Sequence, residues 1–227
     1  YDLIMINTFL FDFDGTLVDT APDLINTANE IFLKYNHKEI SFQEGLGCSS
    51  NGINAFLKKR FSFDEINNNS LFDEFVEIYK NNCFLNASLF PGFQDILKDL
   101  KKRGFNIGIV TNKPRIFTDL ILNHLRIDSM FDIVLCPDDG FKPKPDNQMF
   151  IEVFDKLQVD PSQVIYVGDG ERDIIAANAS NIISVFAGYG YIDPADNTEI
   201  WGYDLLINTA DDLKKLINIF SLRNCLS

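Results

Sequence analysis

The chain has 227 residues, 46% of them hydrophobic and 23% charged. That is enough apolar surface to offset the entropy of ordering, so a disordered chain is excluded. No apolar run approaches the roughly 20 residues of a membrane helix. Against 33 acidic residues there are 20 basic ones, for a net charge of −13. This charge repels nucleic-acid phosphates and anionic lipid, so no nucleic acid and no membrane is expected as a partner. A small anionic substrate stays open, because a lysine and a metal can invert the sign of one site.

The length suits one domain with a sizeable insertion, or two modest ones. The first residues include Asp2, Asp12 and Asp14 and no basic segment, so no signal peptide is expected and a cytoplasmic location is read. A start at Met5 would suit such a product. Cys48, Cys83, Cys136 and Cys225 are scattered and form no C-x-x-C pair, which reads as reduced, partly buried thiols.

In chain order, residues 8–13 (TFLFDF) are short, apolar and β-rich and predict a buried strand broken by Gly15. Residues 21–36 open on Ala-Pro-Asp and carry Leu24, Ala28, Ile31, Phe32 and Tyr35 at helical spacing. Residues 42–85 are rich in Phe and Asn, helical in period and without a convincing strand. Asn67 to Ser70 marks a turn there. Pro91-Gly92 is a second break. A helix over 93–103 and a strand over 106–110 follow it.

From there the two element types alternate. Helices are predicted over 116–125, 148–157, 173–179 and 211–220, and strands over 133–135, 164–167, 182–185 and 204–207. The alternation predicts an α/β fold, a Rossmann-like, mainly parallel sheet covered on both faces. The helical block after the first strand reads as an inserted all-α cap domain. The expected division is a core of residues 1–19 and 89–227 with a cap of 20–88.

Ligands of open parallel sheets bind beyond the carboxyl ends of the strands. Asp12-Phe-Asp14-Gly15-Thr16 follows the first predicted strand and Thr111-Asn112-Lys113 the second. Lys142-Pro-Lys144-Pro lies beyond the third, and Gly168-Asp169-Gly170 with Asp173 beyond the fourth. Each has a plain structural reading alone. Asp12-x-Asp14 can solvate a strand end, Thr111-Asn112 can cap a helix, and Lys-Pro-Lys-Pro can be a stiff loop. Asp169 and Asp173 can serve a turn and a helix dipole. Yet Asp12 lies in an apolar run, where an uncompensated carboxylate is costly, and the ordered set is hard to obtain from structural needs alone.

These segments resemble, in order, the four motifs of the haloacid dehalogenase (HAD) superfamily, and the helical block sits where a C1-type cap does. The run from Leu17 to Leu24 most resembles phosphoglycolate phosphatases. The resemblance implies phosphoryl transfer through an aspartyl-phosphate on Asp12. Asp14 would protonate the leaving oxygen and then activate water. Thr111, the Asn112 backbone N–H and Lys142 would bind the phosphoryl oxygens. Lys142 is preferred because it precedes Pro-x-Pro as the family lysine does, with Lys144 and Lys113 as nearby candidates. Several carboxylates beside a dianion require a hard cation, and Mg²⁺ suits oxygen donors. Its expected ligands are Asp12, Asp169, the backbone carbonyl of Asp14, and Asp173 directly or through water.

Position 170 is Gly, where relatives often carry Ser or Thr, which removes one hydroxyl near the metal. Gly45 to Gly52 reads either as a cap loop over the substrate or as a turn between helices. His37 and His124 lack partners at ligand spacing. The expected substrate is a small phosphorylated metabolite, with 2-phosphoglycolate foremost. A β-phosphoglucomutase-like phosphotransferase is the alternative, but Leu24 stands where such mutases usually carry a His. Inorganic pyrophosphatase activity and a non-catalytic binding module complete the alternatives.

Overall fold

The structure, a computed structural model, describes residues 5–224. The segment before Met5 and the thiol of Cys225 lie outside the described residues. Six strands form one sheet in which every neighbouring pair is parallel: β1 (Thr8–Phe11), β4 (Asn106–Val110), β5 (Ile133–Leu135), β6 (Val164–Gly168), β7 (Ile183–Ala187) and β8 (Leu205–Ile207). Their order is β5-β4-β1-β6-β7-β8. Phe9 and Phe11 of β1 pack with Ile107, Ile109, Ile165 and Val167 in one buried cluster. Leu10 packs with Val110 and Tyr166 in another. Successive residues of a strand point to opposite faces, so the sheet is covered on both sides.

Helices α6 (Phe93–Lys102), α7 (Arg115–Leu125), α8 (Gln148–Leu157), α9 (Glu171–Ala179) and α10 (Ala210–Asn224) connect and flank these strands. Helix α6 shows why they form. Phe93, Ile96, Leu97 and Leu100 are buried at i, i+3, i+4 and i+7, while Lys101 and Lys102 occupy its last turn. The predicted bounds of β4, β5 and α8 are the observed ones. Helix α9 starts two residues earlier than expected. The Gly170 N–H donates to the Asp173 carboxylate at 2.9 Å, which closes the first turn around Gly170.

Between β1 and α6 lies a helical block, α1 (Ala21–Lys34), α2 (Phe42–Ser49), α3 (Ile53–Leu57), α4 (Phe63–Asn68) and α5 (Leu71–Asn82). Its interior is aromatic, with Phe32, Phe56, Phe75 and Tyr79 buried in a cluster continuous with Phe9 and Phe11 of the sheet. The expected loop at 45–52 is mostly helix. Ser41 accepts the Glu44 N–H, and the Glu44 carboxylate accepts the Ser41 N–H, which starts α2 before the glycines are reached. The block leaves and rejoins the sheet through a two-stranded antiparallel ribbon, β2 (Val18–Asp19) against β3 (Ser88–Leu89). Buried Asp23 accepts the N–H groups of Asn86 and Ala87, tying the outgoing chain to the returning one.

Candidate active site

Strands β4, β1 and β6 are neighbours and parallel, so Thr111, Asp12 and Asp169 emerge side by side at one edge of the sheet. The turn after β1 is tight. Gly15 has φ +78, and a Cβ there would lie 2.1 Å from the Asp169 Oδ2. Only glycine tolerates both the left-handed backbone and this approach. Asp14 is thereby turned toward the same cavity as Asp12. The cavity, of ≈ 120 Å³, is lined on the core side by Asp12, Asp14, Thr111, Asn112, Lys113 and Arg172. From the helical block it is closed by Leu24, Ser49, Ser50, Gly52, Ile53 and Tyr79. The Gly45–Gly52 segment thus reaches the cavity with its last turn.

The lysine that pairs with Asp12 is Lys144, and this corrects the choice of Lys142. The Lys142 side chain is 69% exposed and its nearest anion is Asp146, at 3.7 Å. Lys144 is buried, with Nζ 2.8 Å from Asp12 Oδ1 and 2.6 Å from Asp173 Oδ1. Asn112 explains which lysine turns inward. Its amide oxygen accepts the Lys144 N–H at 2.8 Å and its amide nitrogen donates to the Lys144 carbonyl at 2.9 Å. That two-point clamp pins the backbone of Lys144 beside β4. Tyr166, in the middle of β6, brings its hydroxyl to 2.6 Å from the same ammonium.

Asp14 has its own cation. Lys113 Nζ lies 3.0 and 3.2 Å from the two carboxylate oxygens, and the Thr20 hydroxyl donates to one of them. Lys113 also donates to the hydroxyl of Tyr79 on α5 at 2.9 Å, so the acid is held by both the core and the helical block. Sequence reasoning noted Lys113 but missed Tyr79, Tyr166 and Arg172. A tyrosine in the middle of an apolar strand was the available signal for Tyr166. Nothing in the local pattern marks Tyr79.

The acidic cluster is short of positive charge. Asp12, Asp169 and Asp173 are buried, and each offers a carboxylate oxygen within 4.8 Å of the others. Burial raises the Asp12 pKa, Lys144 opposes that rise and Asp173 adds to it. Burial also raises Asp173, but Lys144 and Arg172 outweigh it and hold the group below its ordinary value. Asp169 has no lysine. Burial first, then the charges of Asp12 and Asp173, push it up to about 8. Its contacts are the Tyr191 N–H at 2.7 Å and the Thr16 hydroxyl at 3.4 Å.

A buried set of hard oxygen donors with a charge deficit is what a divalent cation satisfies. The fit is best at Asp12 and Asp169. Asp173 is held by the Lys144 ammonium and Tyr166 on one oxygen and by the Gly170 N–H on the other, whereas Asp169 meets only neutral donors. Asp173 is thus the acid of the three most fully paired within the protein. His37 packs edge-on against Phe61 and His124 stacks on Phe84, both away from this cluster.

Comparison with known proteins agrees with this arrangement. A sequence profile of haloacid dehalogenase-like hydrolases matches residues 9–187. The N-acetylmuramic acid 6-phosphate phosphatase of Pseudomonas putida is 33% identical over 215 residues, covering 94% of this chain and 96% of its own. The phosphoglycolate phosphatase of Xanthomonas campestris pv. campestris is 34% identical over 205 residues, covering 90% and 93%. Among solved structures, a predicted phosphoglycolate phosphatase from Haemophilus somnus superposes with a TM-score of 0.83 at 26% identity, covering 93% and 98%. With its first carboxylate pair, its inward lysine and its metal-ready acids at one sheet edge, the chain belongs to the haloacid dehalogenase-like hydrolase family.

Proposed function

We propose that the protein is a Mg²⁺-dependent phosphatase of small phosphomonoesters that works through an aspartyl-phosphate on Asp12. The observation that carries this is the Asp12 environment. One oxygen is held by Lys144 at 2.8 Å while the residue faces the cavity beside Asp14 and Thr111. In the first step an Asp12 oxygen attacks phosphorus, the ester P–O bond breaks, and Asp14 gives a proton to the departing oxygen. In the second, Asp14 takes a proton from water as that water attacks the same phosphorus. The Asp12–phosphorus bond then breaks and inorganic phosphate leaves.

Thr111 and the Asn112 N–H receive the phosphoryl oxygens, and Lys144 keeps Asp12 aligned and offsets its charge. Asp12 and Asp169 with the Asp14 carbonyl would hold Mg²⁺, which would supply charge neutralisation for the phosphate. We take residues 20–88 to act as the cap that excludes bulk water, with Tyr79 and Ser50 facing the substrate side.

The substrate is read as a phosphomonoester that also carries a carboxylate, 2-phosphoglycolate first. Two kinds of relative act on such compounds, phosphoglycolate and N-acetylmuramic acid 6-phosphate. The relative from Pseudomonas matches nearly the whole chain, which supports the amino-sugar acid as a second reading. Leu24 in the cavity wall, in place of a proton-transferring His, favours hydrolysis over mutase chemistry.

Phosphate release tests the proposal. The substrates are 2-phosphoglycolate, N-acetylmuramic acid 6-phosphate, β-glucose 1-phosphate and pyrophosphate, each with Mg²⁺ or EDTA. Activity is expected to need the metal and to vanish in Asp12→Ala. Turnover that survives Asp12→Ala would sink the assignment of the nucleophile, and transfer to sugar without phosphate release would revive the mutase.

A further inference from the structure

Arg172 has no task in the arrangement described so far. It is the second residue of α9, between the two metal-side acids Asp169 and Asp173, and it lines the cavity together with Asp12 and Thr111. The residue is half-buried. Its Nε is shut off from solvent and has no hydrogen-bond partner, the one such buried side-chain atom among the described residues. The acids nearby act on it through space, yet none forms an ion pair with it at 4.0 Å or less. The other cation in the wall, Lys113, is committed to Asp14 and Tyr79. Lys144 is committed to Asp12 and Asp173.

The guanidinium lies beside the turn that starts α9. A Cβ on Gly170 would sit 3.6 Å from the Arg172 Cζ and 3.7 Å from Nη2. Those are ordinary contact distances, so the guanidinium lies alongside position 170, at the edge of the acidic cluster. Guanidinium presents five N–H donors in a fixed planar fork and stays charged at every working pH, so it matches two oxygens of a phosphate at once. Leaving the buried Nε–H unsatisfied costs free energy that an arriving anion returns.

We infer that Arg172 is a phosphoryl-binding residue: its fork takes two oxygens of the phosphate seated against Asp12, on the side of the site that Lys144 and Lys113 leave uncovered. The inference rests on the phosphatase reading for its substrate, but not for its first measurement. Because the phosphoryl group is common to every ester, Arg172 serves all substrates alike. A contact to the rest of the ester would serve only one kind.

The test uses full-length protein loaded with Mg²⁺, comparing wild type with Arg172→Gln and Arg172→Lys. Binding of inorganic phosphate is measured by calorimetry. Then kcat and KM are measured for 2-phosphoglycolate and for glycerol 2-phosphate, whose leaving group is neutral, and melting temperatures are recorded. Arg172→Gln is expected to weaken phosphate binding about ten- to hundredfold. Its kcat/KM should fall by a similar factor on both esters. Arg172→Lys should recover part of both losses, since it keeps the charge and loses the fork.

Unchanged phosphate affinity in Arg172→Gln overturns the inference, and a lowered melting temperature alongside it assigns Arg172 to charge balance of the acids. A loss confined to 2-phosphoglycolate also overturns it and moves the fork onto the substrate carboxylate. Wild type that binds no phosphate overturns it outright. Wild type that binds phosphate through Arg172 but hydrolyses no ester leaves the inference standing and removes the phosphatase reading instead.

Discussion

At the residue scale, two lysines two positions apart have opposite fates, and a pair of variants separates them. Lys144 is the only cation in ion-pair contact with buried Asp12 and Asp173 among the described residues. Lys144→Met strands both carboxylates in a low-dielectric site. Breaking a buried pair in this way costs about 3–5 kcal/mol, which for a chain of this size lowers Tm by roughly 6–20 °C. Turnover should fall by at least about a hundredfold, as when one charge-stabilising donor is removed from an active site.

Lys142→Ala should leave melting and turnover unchanged, because its Nζ is exposed and pairs only loosely with Asp146. Thermal melts and initial rates check both, and a severe Lys142→Ala defect would reverse the correction. The sequence shows that a lysine of this segment belongs to the site. Which one turns inward depends on the Asn112 clamp, a contact 32 positions away. No local pattern carries that.

At the scale of elements, the alternating strands and helices of the sheet were legible, the three-residue β5 included, while the ribbon and α2 were not. Strands β1, β4 and β6 are apolar runs with nowhere to go but a buried sheet, and the acids after them fall where parallel strands end. The ribbon of β2 and β3 has two residues a side, too few for a period to show. Its pairing is set by the chain's return from the helical block. Helix α2 runs on through Gly45 and Gly47, within a stretch that reads as loop or turn, because Ser41 and Glu44 start it; Ser-x-x-Glu is a start signal in its own right.

A further clip of this kind joins elements far apart in sequence. Arg115, at the start of α7, meets the Asp139 carboxylate through Nε at 3.0 Å and through a second nitrogen. The hydrogen bond from Arg115 holds Asp139 below its usual pKa. A depressed carboxyl stabilises the fold above the unfolded pKa, about 3.9. That contribution is lost as pH falls through the lower folded value. Asp139→Ala should therefore lower Tm at pH 7 by about 2–4 °C, for roughly 1 kcal/mol of a partly exposed charged hydrogen bond. The gap from wild type should close between about pH 4 and the acid limit. Melts across pH 3–7 measure it, and a gap equally wide at pH 3 would show that the clip acts by packing rather than by charge.

At the scale of the whole molecule, the helical block and the sheet share one buried apolar cluster, and around the acidic cavity they add a few polar contacts. Tyr191 accepts the Thr20 and Ala21 N–H groups at 2.7 and 2.8 Å and so caps α1 from the core. Ser50 donates to the Tyr191 carbonyl at 3.1 Å, and Lys113 spans Asp14 and Tyr79. The same loop that caps α1 donates the Tyr191 N–H to Asp169, so the acid most in need of a cation is wired to the junction.

A cation bound there stabilises the folded chain by mass action, about 2.7 kcal/mol at a hundredfold excess over Kd. At 227 residues that raises Tm by roughly 5–10 °C. Asp169→Asn removes one of the two best-placed ligands and should lose most of the gain. It should also melt no lower than wild type without metal, because the neutral amide removes a carboxylate that burial and its neighbours disfavour. Scanning calorimetry with EDTA and with rising Mg²⁺ reads both effects. An equal rise in wild type and Asp169→Asn would place the cation elsewhere, and no rise in wild type would mean that the charge deficit at this edge of the sheet is met by something other than Mg²⁺.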